Sequence, residues 1–96
     1  MKPLRPSHHT FRGKRYCIRW RPPSNPKHAG ECDDPKYKKP SIVIHPELTG
    51  IEKLMTLVDE SIHACVYDLD NEVVYETSSA IAMFLWDCGL RFIDEI

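Results

Sequence analysis

Apolar and polar residues alternate along this chain with two different periods, and the change of period divides it in half. Between Phe11 and Trp20, the residues Tyr16, Ile18 and Trp20 alternate with Arg15, Cys17 and Arg19. That is the two-residue period of a strand with one buried face. Pro22, Pro23 and Pro26 end it. Gly30 to Pro35 reads as a turn with a short strand leading into it, and Ser41 to His45 as a second strand held between Pro40 and Pro46. From residue 51 the period lengthens. Ile51, Leu54, Met55, Val58, Ile62 and Cys65 recur at the spacing of one helical face, which predicts a helix over Ile51–Val66. Asp68 to Asn71 interrupts that pattern and offers Asp70 as an N-cap. A second helix is predicted over Asn71–Cys88, with Val73, Thr77, Ala80, Ile81, Phe84 and Cys88 as its buried face. Gly89 is placed to stop it, and Trp20, Phe84 and Trp86 read as core or core-edge aromatics. These elements predict an α+β fold: a small antiparallel or mixed sheet in the N-terminal half, packed on two C-terminal helices. Residues 1–10, polar and carrying Pro3 and Pro6, read as a flexible arm before a single domain over 11–96.

Composition adds limits to this outline. Ninety-six residues support one modest core. No apolar run approaches the roughly 18 residues of a membrane span, and no signal-peptide pattern follows Met1, so a cytoplasmic location is expected. Cys17, Cys32, Cys65 and Cys88 are widely spread with no C-x-x-C pair, which favours free thiols and argues against a structural zinc finger. Charge is near balance overall but not along the chain. Residues 1–50 carry eleven Lys and Arg against four Asp and Glu, while residues 51–96 carry two against ten. Either the halves pack together and partly neutralise each other, or a basic face meets an anionic partner. In the second case Arg12, Lys14, Arg15, Arg19 and Arg21, with Lys36, Lys38 and Lys39 nearby, could track a nucleic-acid backbone while Tyr16 and Trp20 stack on bases.

The chemistry concentrates at Asp59-Glu60-Ser61-Ile62-His63. This is the spacing of H-E-x-x-H, in which two His one helical turn apart hold zinc and the Glu between them takes a proton from water. Here Asp59 replaces the first His, making the site harder and more anionic. On the helical wheel Asp59 and His63 sit together at one edge of the apolar stripe, with Glu60 farther round. The expected assignment is Asp59 and His63 as ligands of a divalent metal and Glu60 as the general base. An acidic pair with a His on a helix flank is also an ordinary solvated face, and that alternative stays open at this point. His8, His9, His28 and His45 read as surface or turn residues, and Cys65 and Cys88 as small core residues.

Several stretches together carry a resemblance. They are G-K-R-Y-x-I-x-W (Gly13 to Trp20), G-E-C-D-x-P (Gly30 to Pro35), L-x-T-L-x-D-E-x-I-H-A-C (Leu54 to Cys65) and L-W-x-C-G (Leu85 to Gly89). In this order they resemble the small zincin-like, metallopeptidase-like proteins encoded by tailed bacteriophages, over about residues 11–91. The resemblance implies a minimal zincin domain, a peptide or protein substrate, zinc or manganese as cofactor, and a place in the infected cell or the virion. It also implies a third, acidic ligand on the second helix, at Glu76 with Glu72 behind it. Under that reading the strand around Ile42 to Ile44 lies beside the cleft and can pair with an extended peptide. Members usually carry His where Asp59 stands, so the same resemblance admits an inactive scaffold that binds a host or virion protein without turnover.

Overall fold

In a computed structural model, which describes residues 4–96, the alternation along the first half builds four strands rather than three. They are β1 (His8–Phe11), β2 (Lys14–Trp20), β3 (Gly30–Cys32) and β4 (Ser41–Ile44). The strand expected from Phe11 to Trp20 is broken at Arg12 and Gly13, both with positive φ (48° and 81°), so the chain turns back on itself there. Residues 8–10, expected in a loose arm, are therefore the partner strand of that hairpin, His8 lying opposite Cys17 and Phe11 opposite Lys14. The chain is tied down at Pro6 as well, whose carbonyl accepts from Trp20 Nε1 at 3.0 Å. Residues 1–3 of the expected arm lie outside the described residues.

The sheet is mixed, in the order β1-β2-β4-β3. β2 runs antiparallel to β1 and parallel to β4, and β3 closes the far edge antiparallel to β4. The alternation of β2 is expressed as expected. Tyr16 is fully buried, and with Ile42, Ile44 and Ala64 it forms the core, flanked by Ile18, Trp20 and Leu57. Arg15, Arg19 and Arg21 point to the other side and are exposed.

Two helices follow, α1 (Gly50–Cys65) and α2 (Asn71–Asp87). The chain thus has the α+β architecture that its periods predict, a mixed four-stranded sheet and two C-terminal helices. Asp70 caps α2, its carboxylate accepting from Glu72 N–H at 2.8 Å. Gly89 stops it with φ 99°, while Leu90 N–H reaches back to the Leu85 carbonyl and Gly89 N–H to that of Trp86. These two bonds form a Schellman motif. α1 is a middle layer, covered by the sheet on one side and by α2 on the other. Arg12 extends from the hairpin turn to donate to the carbonyl of Cys65 at the C-terminal end of α1 (2.9 Å), where a cation also meets the negative end of the helix dipole. A short 3-10 turn at Ile93–Glu95 packs back on α1, where the buried Lys53 meets Asp94, Glu95 and the Phe92 ring. No helix among the described residues is long and apolar enough to cross a membrane. All four cysteines are free thiols.

The buried face of α2 differs from expectation. Val74, Ser78 and Ala82 are buried, whereas Val73, Ile81 and Phe84 are 47%, 41% and 68% exposed. Thr77, Ala80 and Cys88 are exposed too. The reason is that α2 has two apolar stripes and only one neighbour. α1 covers the narrower stripe of small residues, which allows the close approach, and the bulkier stripe faces outward.

Candidate metal centre

α1 presents its chemistry on the arc between its sheet-facing and α2-facing sides. Lys53, Leu57, Glu60 and Ala64 recur three or four residues apart and line the sheet side. Glu60, expected farther round from the core, is accordingly buried with 6% exposure. It lies against β3 so closely that a Cβ on Gly30 would fall 2.8 Å from Glu60 Oε2 and 2.9 Å from Thr56 Cγ2. Asp59 turns instead toward α2, where Ser78 Oγ donates to its Oδ1 at 2.9 Å. His63 sits one turn on, with Nε2 3.5 Å from Asp59 Oδ2.

One donor atom each from Asp59, Glu60 and His63 lies within 4.8 Å of the other two. The three expected residues of α1 are therefore brought together, and all stand at the edge of open space. Two adjoining cavities, of about 640 and 420 Å³, share His28, Gly30, Asp59, Glu60 and Tyr75 in their walls. Together they make a groove between β3, α1 and α2.

The electrostatics of the group are unusual. No described residue hydrogen-bonds the Glu60 carboxylate, and its pKa is pushed up from 4.5 to about 8, chiefly by burial and then by the Asp59 and Glu31 charges. Burial, with Glu60 beside it, likewise pushes the Cys32 thiol up to about 12, so Cys32 is an unreactive wall residue. On the outer rim, Asn25 N–H and the Ser24 hydroxyl hold the Glu31 carboxyl below its ordinary value.

Two expected features are not brought to this group. Glu76 is exposed and outside the cluster. It lies two residues from Ser78, some 200° around the helix, and so points away from Asp59. Glu72, six residues before Ser78, is exposed as well. The strand beside the groove is also not Ile42 to Ile44, which runs inside the sheet between β2 and β3. It is β3. Ala29 and Asp33 bond to β4 through His45 N–H and the Ser41 carbonyl, so by alternation the peptide groups of Gly30 and Cys32 face the free edge.

The sequence reading missed Ser78, Gly30 and Tyr75. Ser78 stands inside the polar run Glu76 to Ser79 and so carries no distinct signal, and Gly30 reads only as part of a turn. Compared with known proteins, the chain matches no family model, no curated protein and no solved structure.

Proposed function

We propose that this protein is a metallopeptidase-like domain built around a divalent-cation centre at Asp59, Glu60 and His63. The observation that carries this reading is the convergence of three donor atoms within 4.8 Å at the wall of an open groove. The residues fit such an ion. Two carboxylates and an imidazole suit zinc, manganese or another divalent metal, and the buried Glu60 carboxylate has no hydrogen bond among the described residues to compete for it.

The cation would supply Lewis acidity toward water and a peptide carbonyl. The chain's own residues do the remainder. Asp59 and His63 hold the ion from successive turns, and Ser78 orients Asp59 by occupying its other oxygen. With Glu76 turned away, Glu60 is the third donor. It is then not free to accept a proton, so hydrolysis is slower than at a site with two His and a separate Glu. The free peptide groups of Gly30 and Cys32 offer an extended substrate a ladder on which to pair. The same groove, binding a host or virion protein without turnover, is the second reading; the exposure of Glu76, outside the cluster, favours it.

Metal content by plasma mass spectrometry, measured on the untagged protein and on Glu60→Gln and His63→Ala, tests the assignment together with cleavage of a mixed peptide library. Near-stoichiometric metal, reduced in both variants, is the expected result. Full metal in Glu60→Gln with cleavage lost would return Glu60 to the role of proton acceptor. No metal in the unaltered protein would remove the reading altogether.

A further inference from the structure

We propose that the outer face of the sheet is a docking surface for the phosphodiester backbone of a nucleic acid. The helices leave this face open: α1 packs on the side that carries Tyr16, Ile42 and Ile44. On the opposite side β2 presents Arg15 and Arg19, and Arg21 continues the row, its N–H still donating to the Ile44 carbonyl at 3.1 Å. Side chains two residues apart on a strand stand about 6.7 Å from each other, so the three guanidinium groups form a row about 20 Å long. Arg19 is fixed across β4 by a hydrogen bond from Nε to Ser41 Oγ at 3.2 Å.

No described carboxylate pairs with this row. Among the described residues, the Lys and Arg ion pairs are those of Lys53 with Asp94 and Glu95, and none involves Arg15, Arg19 or Arg21. Glu31, opposite Val43 on the same face, stays anionic but accepts its hydrogen bonds from Ser24 and Asn25 and makes no ion pair with the arginines. The two charged halves of the sequence therefore do not cancel across this surface.

The chemistry of the face selects the partner. None of the exposed large apolar residues belongs to β1, β2, β3 or β4. A protein interface depends on buried apolar or aromatic anchors, and stable seating on a membrane on an inserted apolar group. A linear row of arginines without either matches a linear polyanion, which guanidinium groups bind through paired hydrogen bonds. Tyr16 and Trp20 lie on the other side of the sheet, Arg12 is tied to α1, and Lys14 shares the parity of Tyr16. The mode is thus backbone contact without base stacking, and it is indifferent to sequence.

Fluorescence anisotropy with an oligothymidylate or oligouridylate of about 20 nucleotides tests this on the full chain. Three backbone contacts predict log affinity falling with log salt at a slope of about −2. Replacing Arg15, Arg19 and Arg21 together by Gln is expected to weaken binding at least about tenfold and flatten that slope. Circular dichroism of the variant should be unchanged, because all three side chains are exposed. No binding at low salt, or equal binding by the variant, would overturn the proposal. So would binding to phosphatidylserine vesicles but to neither oligonucleotide.

Discussion

Ser78 and Asp59 join the two helices through one short hydrogen bond, 2.9 Å from hydroxyl to carboxylate, with Ser78 itself only 2% exposed. The bond occupies Oδ1 of Asp59 and leaves Oδ2 on the side of His63. Removing the donor in Ser78→Ala should cost about 1–2 kcal/mol of stability, the worth of a hydrogen bond to a charged group. It should also weaken metal binding by about 10–100-fold, as loss of such a supporting contact does. Urea unfolding of the chelated protein and a calorimetric metal titration check the two effects separately.

Glu60 gives the stability of the metal-free protein an unusual dependence on pH. In the unfolded chain its carboxyl ionises near 4.5, whereas in the folded chain it keeps its proton to about pH 8. Between those values the folded state binds more protons than the unfolded one. Stability therefore falls as pH rises through the window, by at most roughly 1.4 kcal/mol per pH unit. Urea midpoints of chelated protein compared across that window should decline, and Glu60→Gln should remove most of the decline.

Gly30 is held small by its neighbours. Alanine there would bring a methyl group within 2.9 Å of Thr56 Cγ2 and 2.8 Å of Glu60 Oε2. The expected cost is about 1–3 kcal/mol, typical of overpacking, along with weaker metal binding as Glu60 is displaced. A lower melting temperature with metal binding untouched would mean that Thr56 alone gives way.

Lys53 holds the C-terminal segment. Its ammonium is 3.7 Å from Glu95 and 4.0 Å from Asp94, and 4.3 Å above the Phe92 ring. Asp94 Oδ1 has no hydrogen-bond partner among the described residues, so Lys53→Met strands a nearly buried carboxylate. The predicted loss is about 3 kcal/mol. Hydrogen exchange should show residues 92–96 released first.

The two faces of α2 respond oppositely to substitution. Phe84→Ser, at an exposed position, should change stability by less than about 0.5 kcal/mol. Ala82→Leu, at a fully buried one, should cost about 1–3 kcal/mol. If Phe84→Ser proved the more damaging, the outward stripe would be a buried surface in solution.

Periodicity is a good guide where an element has one apolar face and one surface to bury it against. β2 buries the apolar half of its alternation, and Asp70 and Gly89 bound α2 because capping depends only on local backbone groups. It misled where an element has two candidate faces or two neighbours. In α2 the stripe of larger side chains looked like the core, but small Ala82 and Ser78 permit the contact with α1. In α1, with the sheet on one side and α2 on the other, a single hydrophobic stripe could not reveal that Glu60 faces the sheet. The candidate site followed the same division. Asp59, Glu60 and His63 share one helix, so their spacing brings them together. A ligand from another helix depends on how the two helices are rotated, and Glu76 falls outside for that reason.

β3 is an edge strand only three residues long. Long exposed edges recruit the edges of other chains and seed fibrils, and proteins suppress this by shortening them. Here the free groups of Gly30 and Cys32 are too few to template a growing stack, and α1 and α2 wall them into a groove. At this edge of the sheet a short backbone ladder opens into the groove while offering little to a copy of the same strand, and both follow from its three-residue length.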